Sequence, residues 1–225
     1  MEPGSPAGTA YLVRPDDGPG PGVLVLHSWW GLTPAVKELC NRLADEGFVA
    51  LAPDLLEGRR PETAAEAEIE LAGVDPNVTA ALLLSSVVAL RSQTGDPERP
   101  IAIIGYSMGG SWALWLAARQ PESVDAVVVY YGSQDIDFAD LRARVLGHFA
   151  EDDLLVTEDQ RDEMLAHLLL LGREVDFHRY PGTSHWFAEP DHPEGAAYDP
   201  DAAALAFERT LAFLRQGSLQ RAGDG

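Results

Sequence analysis

This chain has one cysteine, few basic residues and no long hydrophobic run, and each shortage excludes a class of protein. Cys40 has no partner for an intramolecular disulfide, and a single thiol cannot build a thiol-rich metal site. Sixteen Lys and Arg stand against 36 Asp and Glu, and the net charge of −20 argues against binding to nucleic acid or to an anionic membrane. No stretch approaches the roughly 20 apolar residues that span a bilayer. Because residues 1–21 show no signal-peptide pattern, we expect a cytoplasmic protein.

The length of 225 residues, with 46% hydrophobic residues, fits one globular domain over 1–225, and we expect 1–8 and 217–225 to be flexible ends. Short apolar runs predict six strands. The first five are almost continuously apolar, which is typical of strands buried on both faces. The predicted strands are 23–28, 48–54, 101–107, 126–132, 145–150 and 174–180, and helical patterns occupy 34–46, 77–93, 108–119, 158–171 and 202–215.

This alternation of strands and helices predicts an α/β fold, with a mostly parallel central sheet and helices on both faces. The alternating run "TAYLVRP" predicts an antiparallel edge strand. The stretch "EGRRPETAAEAEIELAGVDP" has weak periodicity and predicts an irregular, partly helical excursion on the surface. Ligands of such sheets bind beyond the carboxyl ends of the strands, so the residues that follow each strand are the candidates for a site.

A serine between two glycines follows the third predicted strand, in "IAIIGYSMGG". Gly105, Ser107 and Gly109 form a G-x-S-x-G pattern, in which a sharp strand-to-helix turn presents a nucleophile and leaves room only for glycine on either side. The next helix directs the positive end of its dipole at the same place. Because the strand, turn and helix that should surround the pattern are all predicted, we interpret Ser107 as a nucleophile.

A serine nucleophile needs a base and an acid that orients the base, and in this fold class they follow in the order Ser, Asp or Glu, His. His185 lies in a loop directly after the last predicted strand and is the predicted base. Asp152 and Asp153 both follow the preceding strand, and the register of "AEDDLLV" favours Asp153. The alternatives are that Asp152 orients the base, and that Asp153 only caps the following helix.

An oxyanion hole requires backbone N–H groups near the nucleophile. The amide of Met108, directly after Ser107, is one predicted donor, and the amide of Trp29 in the loop "LHSWWGL" is the other. Ser28 and Trp30 adjoin Trp29, Trp186 and Glu189 follow His185, and all four are candidate residues of a substrate pocket. An aromatic lining would favour an apolar or aromatic substrate. The histidines lack a metal-ligand spacing, and we predict no metal.

Taken in order along almost the whole chain, these motifs resemble the dienelactone hydrolase family of the α/β-hydrolase fold. The resemblance rests on "VLVLHSWWGL", "GFVALAPDLLEGR", "IGYSMGG", "VVYYG", "VLGHFAEDDLLV" and "YPGTSHWF". It implies a compact hydrolase without a separate cap domain, without a cofactor, and with a covalent acyl-enzyme intermediate.

Three residues depart from the pattern of that family. Ser107 stands where the family usually has a cysteine, and Ser28 stands where it often has a glutamate beside the oxyanion loop. Glu189 occupies the neighbourhood in which enzymes acting on dienelactone place an arginine that holds the substrate carboxylate. Glu189, the lack of an arginine between Arg60 and Arg91 and the net charge of −20 predict a preference for neutral substrates, because carboxylates repel each other.

The sequence therefore predicts a serine hydrolase that cleaves small carboxylic esters or lactones as a monomer or a homodimer. A peptidase or an acyltransferase would use the same three side chains, so both remain alternatives. A further alternative from another class is a binding protein that has kept the fold and lost the chemistry.

Overall fold

The computed structural model describes residues 10–193 and 197–222, and its centre is a seven-stranded sheet. The strand order is β1-β3-β2-β4-β5-β6-β7, in which β1 pairs antiparallel with β3 and all other neighbours are parallel. The strands are β1 (Ala10–Val13), β2 (Gly22–Leu26), β3 (Val49–Pro53), β4 (Ile101–Tyr106), β5 (Val124–Tyr130), β6 (Arg144–Asp152) and β7 (Val175–Ser184). The predicted parallel strands and the antiparallel edge strand are all present.

Helices cover both faces of this sheet, as the alternating pattern predicted. They are α1 (Pro34–Asp45), α2 (Ala64–Ala72), α3 (Pro76–Arg91), α4 (Met108–Arg119), α5 (Glu158–Leu170) and α6 (Pro200–Ala222). One apolar core lies between the sheet and α1 with α6, and a second lies between the sheet and α3, α4 and α5. The architecture is that of a three-layer α/β sandwich.

The side chains of each central strand are divided between the two cores. In β2, Val23 and Val25 enter the core beneath α1 and α6, whereas Leu24 and Leu26 enter the opposite core. All five residues of β2 are buried. Successive side chains of a strand point to opposite faces, so a strand covered on both sides must be apolar throughout.

Local signals fix where several helices begin. Thr33 caps α1 through its side chain and Pro34 follows in the first turn, where a missing N–H costs nothing. Thr157 caps α5 and forms a reciprocal capping box with Gln160. The predicted excursion is more regular than its weak periodicity suggested, because Thr63 caps α2 within it.

The ends of the chain fall partly outside the described residues. Residues 1–8 and 223–225, which we expected to be flexible, lie outside them, but the backbone of 217–222 continues α6. Across the described ranges, no single helix is both long and apolar enough to cross a bilayer. Helices α2 and α3 are long and apolar enough only when they are taken together, and they are bent by 90° relative to each other.

Candidate active site

Ser107 sits at a strained turn between β4 and α4. Its backbone has φ 50° and ψ −115°, a conformation that costs a non-glycine residue free energy and is concentrated at functional sites. The turn is held by the Ser107 amide, which donates to the carbonyl of Tyr130 at 2.9 Å, and by the Gly110 amide, which donates to the Ser107 carbonyl at 2.8 Å. The strain is therefore supported by hydrogen bonds on both sides of the serine.

The two glycines that flank Ser107 are required by close backbone contacts. A Cβ atom added at Gly105 would lie 2.2 Å from the carbonyl oxygen of Gly109. A Cβ atom added at Gly109 would lie 2.2 Å from the carbonyl oxygen of Leu26, at the end of β2. Backbone atoms cannot move aside as flexible side chains do. The two glycines of the G-x-S-x-G pattern are therefore required by the close approach of α4 to the sheet.

The structure brings Ser107, His185 and Asp153 together in one hydrogen-bonded series. Nε2 of His185 lies 2.8 Å from Oγ of Ser107. Nδ1 of the same ring lies 2.7 Å and 2.9 Å from the two carboxylate oxygens of Asp153. The side chains of His185 and Asp153 are each only 5% exposed, so water competes little for this pair. This is the order of contacts that a nucleophile, a base and an orienting acid require.

Asp153 and Asp152 have different surroundings. Oδ1 of Asp153 accepts the amides of Leu155 and Val156, both at 2.9 Å, which fixes the carboxylate opposite His185. Asp152 is the last residue of β6, is exposed, and is paired through the sheet with Ser184. The cap of α5 is Thr157, so Asp153 does not serve as that cap.

The amides predicted as oxyanion donors lie in the turns that follow two neighbouring parallel strands, β4 for Met108 and β2 for Trp29. Met108 is the first residue of α4, and the first amides of a helix have no acceptor within the helix. In the turn after β2, the Gly31 amide donates to the Ser28 carbonyl at 3.2 Å and the Trp30 amide lies 3.4 Å from the Ser28 hydroxyl. Of the amides of Trp29, Trp30 and Gly31, only the Trp29 amide has no acceptor within the described part of the chain.

His27 holds this turn from behind. Its Nε2 accepts the amide of Leu55 at 2.9 Å, so its proton is on Nδ1, which donates to the Ser28 carbonyl at 2.6 Å. The side chain is completely buried, and burial lowers the pKa of the ring. We conclude that His27 is a neutral structural residue of the loop.

Glu189 is a candidate pocket residue from the sequence, and in the structure it is buried against the turn after β2. Its residue is 7% exposed, and both carboxyl oxygens are engaged: Ser28 donates to Oε2 at 2.5 Å and the Tyr131 hydroxyl donates to Oε1 at 3.0 Å. Burial raises the pKa of the carboxyl to about 7, although the two hydrogen bonds act in the opposite direction. Near pH 7 the carboxyl is thus only partly ionised, and both of its oxygens are held by hydrogen bonds.

Three tryptophans pack against one another at the turn after β2, which we call the oxyanion turn because it carries a proposed oxyanion donor. The rings of Trp29 and Trp186 are stacked with centroids 5.7 Å apart, and Trp30 lies 5.4 Å from each. Trp30 is 1% exposed and therefore packs in the interior, whereas Trp29 and Trp186 are only partly buried. Of the predicted pocket residues, Trp29 and Trp186 remain accessible, and Ser28, Trp30 and Glu189 do not.

Tyr131 is the neighbour of the site that the sequence analysis overlooked. It follows β5 directly, has a φ of 40°, and places its ring 4.8 Å from that of His185 while its hydroxyl reaches Glu189. The signal was present in "VVYYG", because a polar side chain directly after a central strand falls at the edge where such sheets bind ligands.

Among the described residues, no cluster of His, Cys, Asp and Glu has the geometry to hold a metal ion.

The strained serine follows β4, which is the third parallel strand along the chain, and its histidine partner follows β7, which is the last. This topology, with the two residues in these places, defines an α/β-hydrolase. The model of the dienelactone hydrolase family matches residues 9–218. The chain therefore belongs to the dienelactone hydrolase family, and it is a hydrolase that acts on ester bonds.

Its relatives share both sequence and structure. Protein usf of Aquifex pyrophilus is 30% identical over 215 residues, which is 92% of each chain. The protein of Aquifex aeolicus (strain VF5) named "Putative carboxymethylenebutenolidase" is 30% identical over 87% of this chain and 88% of its own. A dienelactone hydrolase-like promiscuous phosphotriesterase from metagenomic libraries superposes with a TM-score of 0.79 at 25% identity, over 93% of this chain and 98% of the other.

Proposed function

We propose that this protein is a serine hydrolase that cleaves small, neutral carboxylic esters or lactones through an acyl-enzyme intermediate. The observation that carries the proposal is the 2.8 Å contact between Oγ of Ser107 and Nε2 of His185, with the carboxylate of Asp153 on the other ring nitrogen. An activated serine is the nucleophile that such a reaction requires. The name of the Aquifex aeolicus relative refers to a carboxymethylene butenolide, a lactone that carries a carboxyl group, so it supports the lactone class and not the preference for neutral substrates.

The proposed reaction has two steps. His185 takes the hydroxyl proton as Oγ of Ser107 attacks the ester carbonyl, and the amides of Met108 and Trp29 stabilise the oxyanion. His185 then gives the proton to the leaving alcohol oxygen, which breaks the ester bond and leaves the acyl group on Ser107. Water attacks that acyl group as His185 takes its proton, and His185 then returns the proton to Oγ of Ser107 as the acid departs. Asp153 accepts a hydrogen bond from Nδ1 of His185 and so keeps Nε2 free to take the proton of Ser107 in these steps.

Replacing the nucleophile tests the proposal. Ser107→Ala should abolish hydrolysis of p-nitrophenyl acetate, because loss of a serine nucleophile costs on the order of 10⁶ in kcat. A fluorophosphonate probe should label the wild-type protein at Ser107 and leave the variant unlabelled. Ser107→Cys, which keeps a nucleophile in the same place, is the folded control and should still react with iodoacetamide.

Two results would contradict the proposal. If Ser107→Ala retained more than a few per cent of wild-type turnover, another group would be the nucleophile. If the wild-type protein neither reacted with the probe nor hydrolysed any ester or lactone of a panel, the fold would serve binding alone. Aminolysis or transfer to an added alcohol in preference to water would indicate a peptidase or an acyltransferase.

A further inference from the structure

A second feature of the molecule lies beside the nucleophile and has no part in the scheme above. A cavity of about 310 Å³ opens between the first turns of α4, on one side, and helices α2 and α3, on the other. Its walls include Met108 and Trp112 from α4, Leu55 and Leu56 after β3, Leu71 from α2 and Thr79 from α3. The volume lies at the lower end of the range for small-molecule sites, roughly 300–1,000 Å³.

The lining of this cavity is almost entirely apolar. None of the described residues that form its wall carries a charge, and Thr79 supplies the one side-chain hydroxyl. Leu55 and Leu56 are buried, whereas Leu71, Met108 and Trp112 are only partly buried and therefore open to a guest. Apolar surface of this kind gains free energy when it is covered by a hydrocarbon group.

The cavity is tied to both of the proposed oxyanion donors. Met108 contributes one donor through its amide and a wall of the cavity through its side chain. On the opposite side, the Leu55 amide donates to His27, which in turn holds the carbonyl of Ser28 next to Trp29. A group in this cavity therefore contacts Met108, the residue directly after Ser107. It lies at the carboxyl end of the sheet, where the proposed reaction would take place.

The position of His185 decides which part of an ester points into the cavity. In the tetrahedral intermediate the leaving oxygen must lie near Nε2 of His185, which returns the proton to it. The acyl substituent then points away from His185. The cavity wall comes from α2, α3, α4 and the segments after β3 and α2, and no described residue of the loop after β7, which carries His185, lines it.

We propose that this cavity is an acyl subsite, which selects unbranched aliphatic acyl groups of about four to six carbons. The inference rests on the proposed function and names the substrate class of the same site. Each methylene that enters the cavity should raise kcat/KM about fourfold, since burial of a methylene is worth about 0.8 kcal/mol.

The first measurement is kcat/KM of the wild-type protein for p-nitrophenyl acetate, butanoate and hexanoate. Hexanoate should exceed acetate on the order of 100-fold if its four additional methylenes are buried. Equal values for the three esters, or the best value for acetate, would overturn the subsite. Hydrolysis of acetate with labelling of Ser107 would still support the proposed function, whereas absence of both in the wild-type protein would overturn the function and the subsite together.

Filling the cavity is the second measurement. Leu71→Trp should lower the ratio of hexanoate to acetate kcat/KM at least tenfold, because the indole occupies the space of the acyl chain. Ile69→Trp, two residues earlier on α2 and 72% exposed, is the matched control and should keep the wild-type ratio. Val74→Trp, on another part of the cavity wall, repeats the test if Leu71→Trp does not fold.

A pair of isomeric esters separates an acyl subsite from an alcohol subsite. Ethyl hexanoate and hexyl acetate have the same composition and carry the long chain on opposite sides of the ester. Leu71→Trp should reduce kcat/KM for ethyl hexanoate far more than for hexyl acetate. The reverse ranking, or an equal loss for both esters and for p-nitrophenyl acetate, would overturn the assignment of the cavity to the acyl group.

Discussion

Ser28 and Glu189, which are 161 residues apart in the sequence, are joined by a buried hydrogen bond of 2.5 Å. Ser28 begins the turn that carries the proposed oxyanion donor, and Glu189 follows the loop that carries His185. The Tyr131 hydroxyl binds the same carboxyl group, so three loops at the carboxyl end of the sheet meet at one side chain. Because both hydrogen bonds are buried, movement of any of these loops would leave a buried polar group without its partner.

Glu189 makes the stability of this protein depend on pH. Its pKa is raised from 4.5 to about 7 by burial. Below pH 4.5 the carboxyl is protonated in both folded and unfolded chains, and as the pH rises the unfolded chain loses this proton first. The free energy of unfolding therefore falls by about 3 kcal/mol between pH 4.5 and pH 7 on account of this group, and then levels off.

Glu189→Gln should remove this dependence, because an amide does not ionise. Measured by urea unfolding, the free energy of unfolding of the variant relative to wild type should rise by about 3 kcal/mol between pH 4.5 and pH 8. Glu68→Gln, an exposed site on α2, is the control and should show a flat difference. A flat difference for Glu189→Gln as well would mean that the carboxyl is ionised in the folded protein throughout this range.

Gly109→Ala should damage both stability and activity. The added Cβ atom would lie 2.2 Å from the Leu26 carbonyl oxygen, so α4 would have to move away from β2 and take Ser107 with it. We expect a loss of about 3 kcal/mol or more in the free energy of unfolding. Gly73→Ala is the matched control, since its φ is −88° and its new Cβ atom would be 3.5 Å from the nearest atom. Equal stability of the two variants in urea would contradict the close approach of α4.

Asp153→Asn should reduce turnover far more than Asp152→Asn. The carboxylate of Asp153 accepts from Nδ1 of His185, and an amide can present a donor there and stabilise the wrong tautomer. The expected loss in kcat is on the order of 10⁴ for Asp153→Asn. Asp152 is exposed, and its variant should stay within a few-fold of wild type in the same ester assay. The opposite ranking would transfer the orienting role to Asp152.

The sequence predicted the fold well because one physical rule governs the central strands. A strand buried on both faces must be apolar throughout, and Val23 to Leu26 meet that rule without exception. Glycines around Ser107 added a steric requirement that few other turns impose. The family resemblance and the α/β-hydrolase fold followed from these local patterns and were confirmed.

The contacts beneath the site could not be read in the same way. Glu189 follows the histidine loop in sequence, and its distance from His185 along the chain gave no sign that its side chain turns inward to Ser28. Hydrogen bonds between residues 161 and 58 positions apart depend on how the loops pack after the sheet has formed. Helix α2 was also underestimated, because its signal was the cap at Thr63 and not a clear apolar stripe.

We expect a preference for neutral acyl groups for a reason that the sequence did not show. Repulsion by Glu189 was the reason drawn from the sequence, but that carboxyl is only partly ionised near pH 7 and is hydrogen-bonded to Ser28 and Tyr131. The stronger reason is the cavity beside Met108, whose wall carries no cation among the described residues. A carboxylate placed there would lose its hydration without gaining a partner, which costs several kcal/mol.

We therefore expect kcat/KM for p-nitrophenyl pentanoate to exceed that for mono-p-nitrophenyl succinate at least tenfold. These acyl groups are similar in length, and only the succinate carries a charge. Raising the ionic strength should narrow the difference only slightly, since salt screens the field of the −20 net charge but does not hydrate a buried carboxylate. Arg60 is the cation to examine if the succinate proves the better substrate, because a Cβ atom added at Gly31 in the oxyanion turn would be 3.5 Å from its Cγ. A succinate advantage that disappears in Arg60→Gln would show that this arginine holds the substrate carboxylate, and the prediction of a neutral substrate would be wrong.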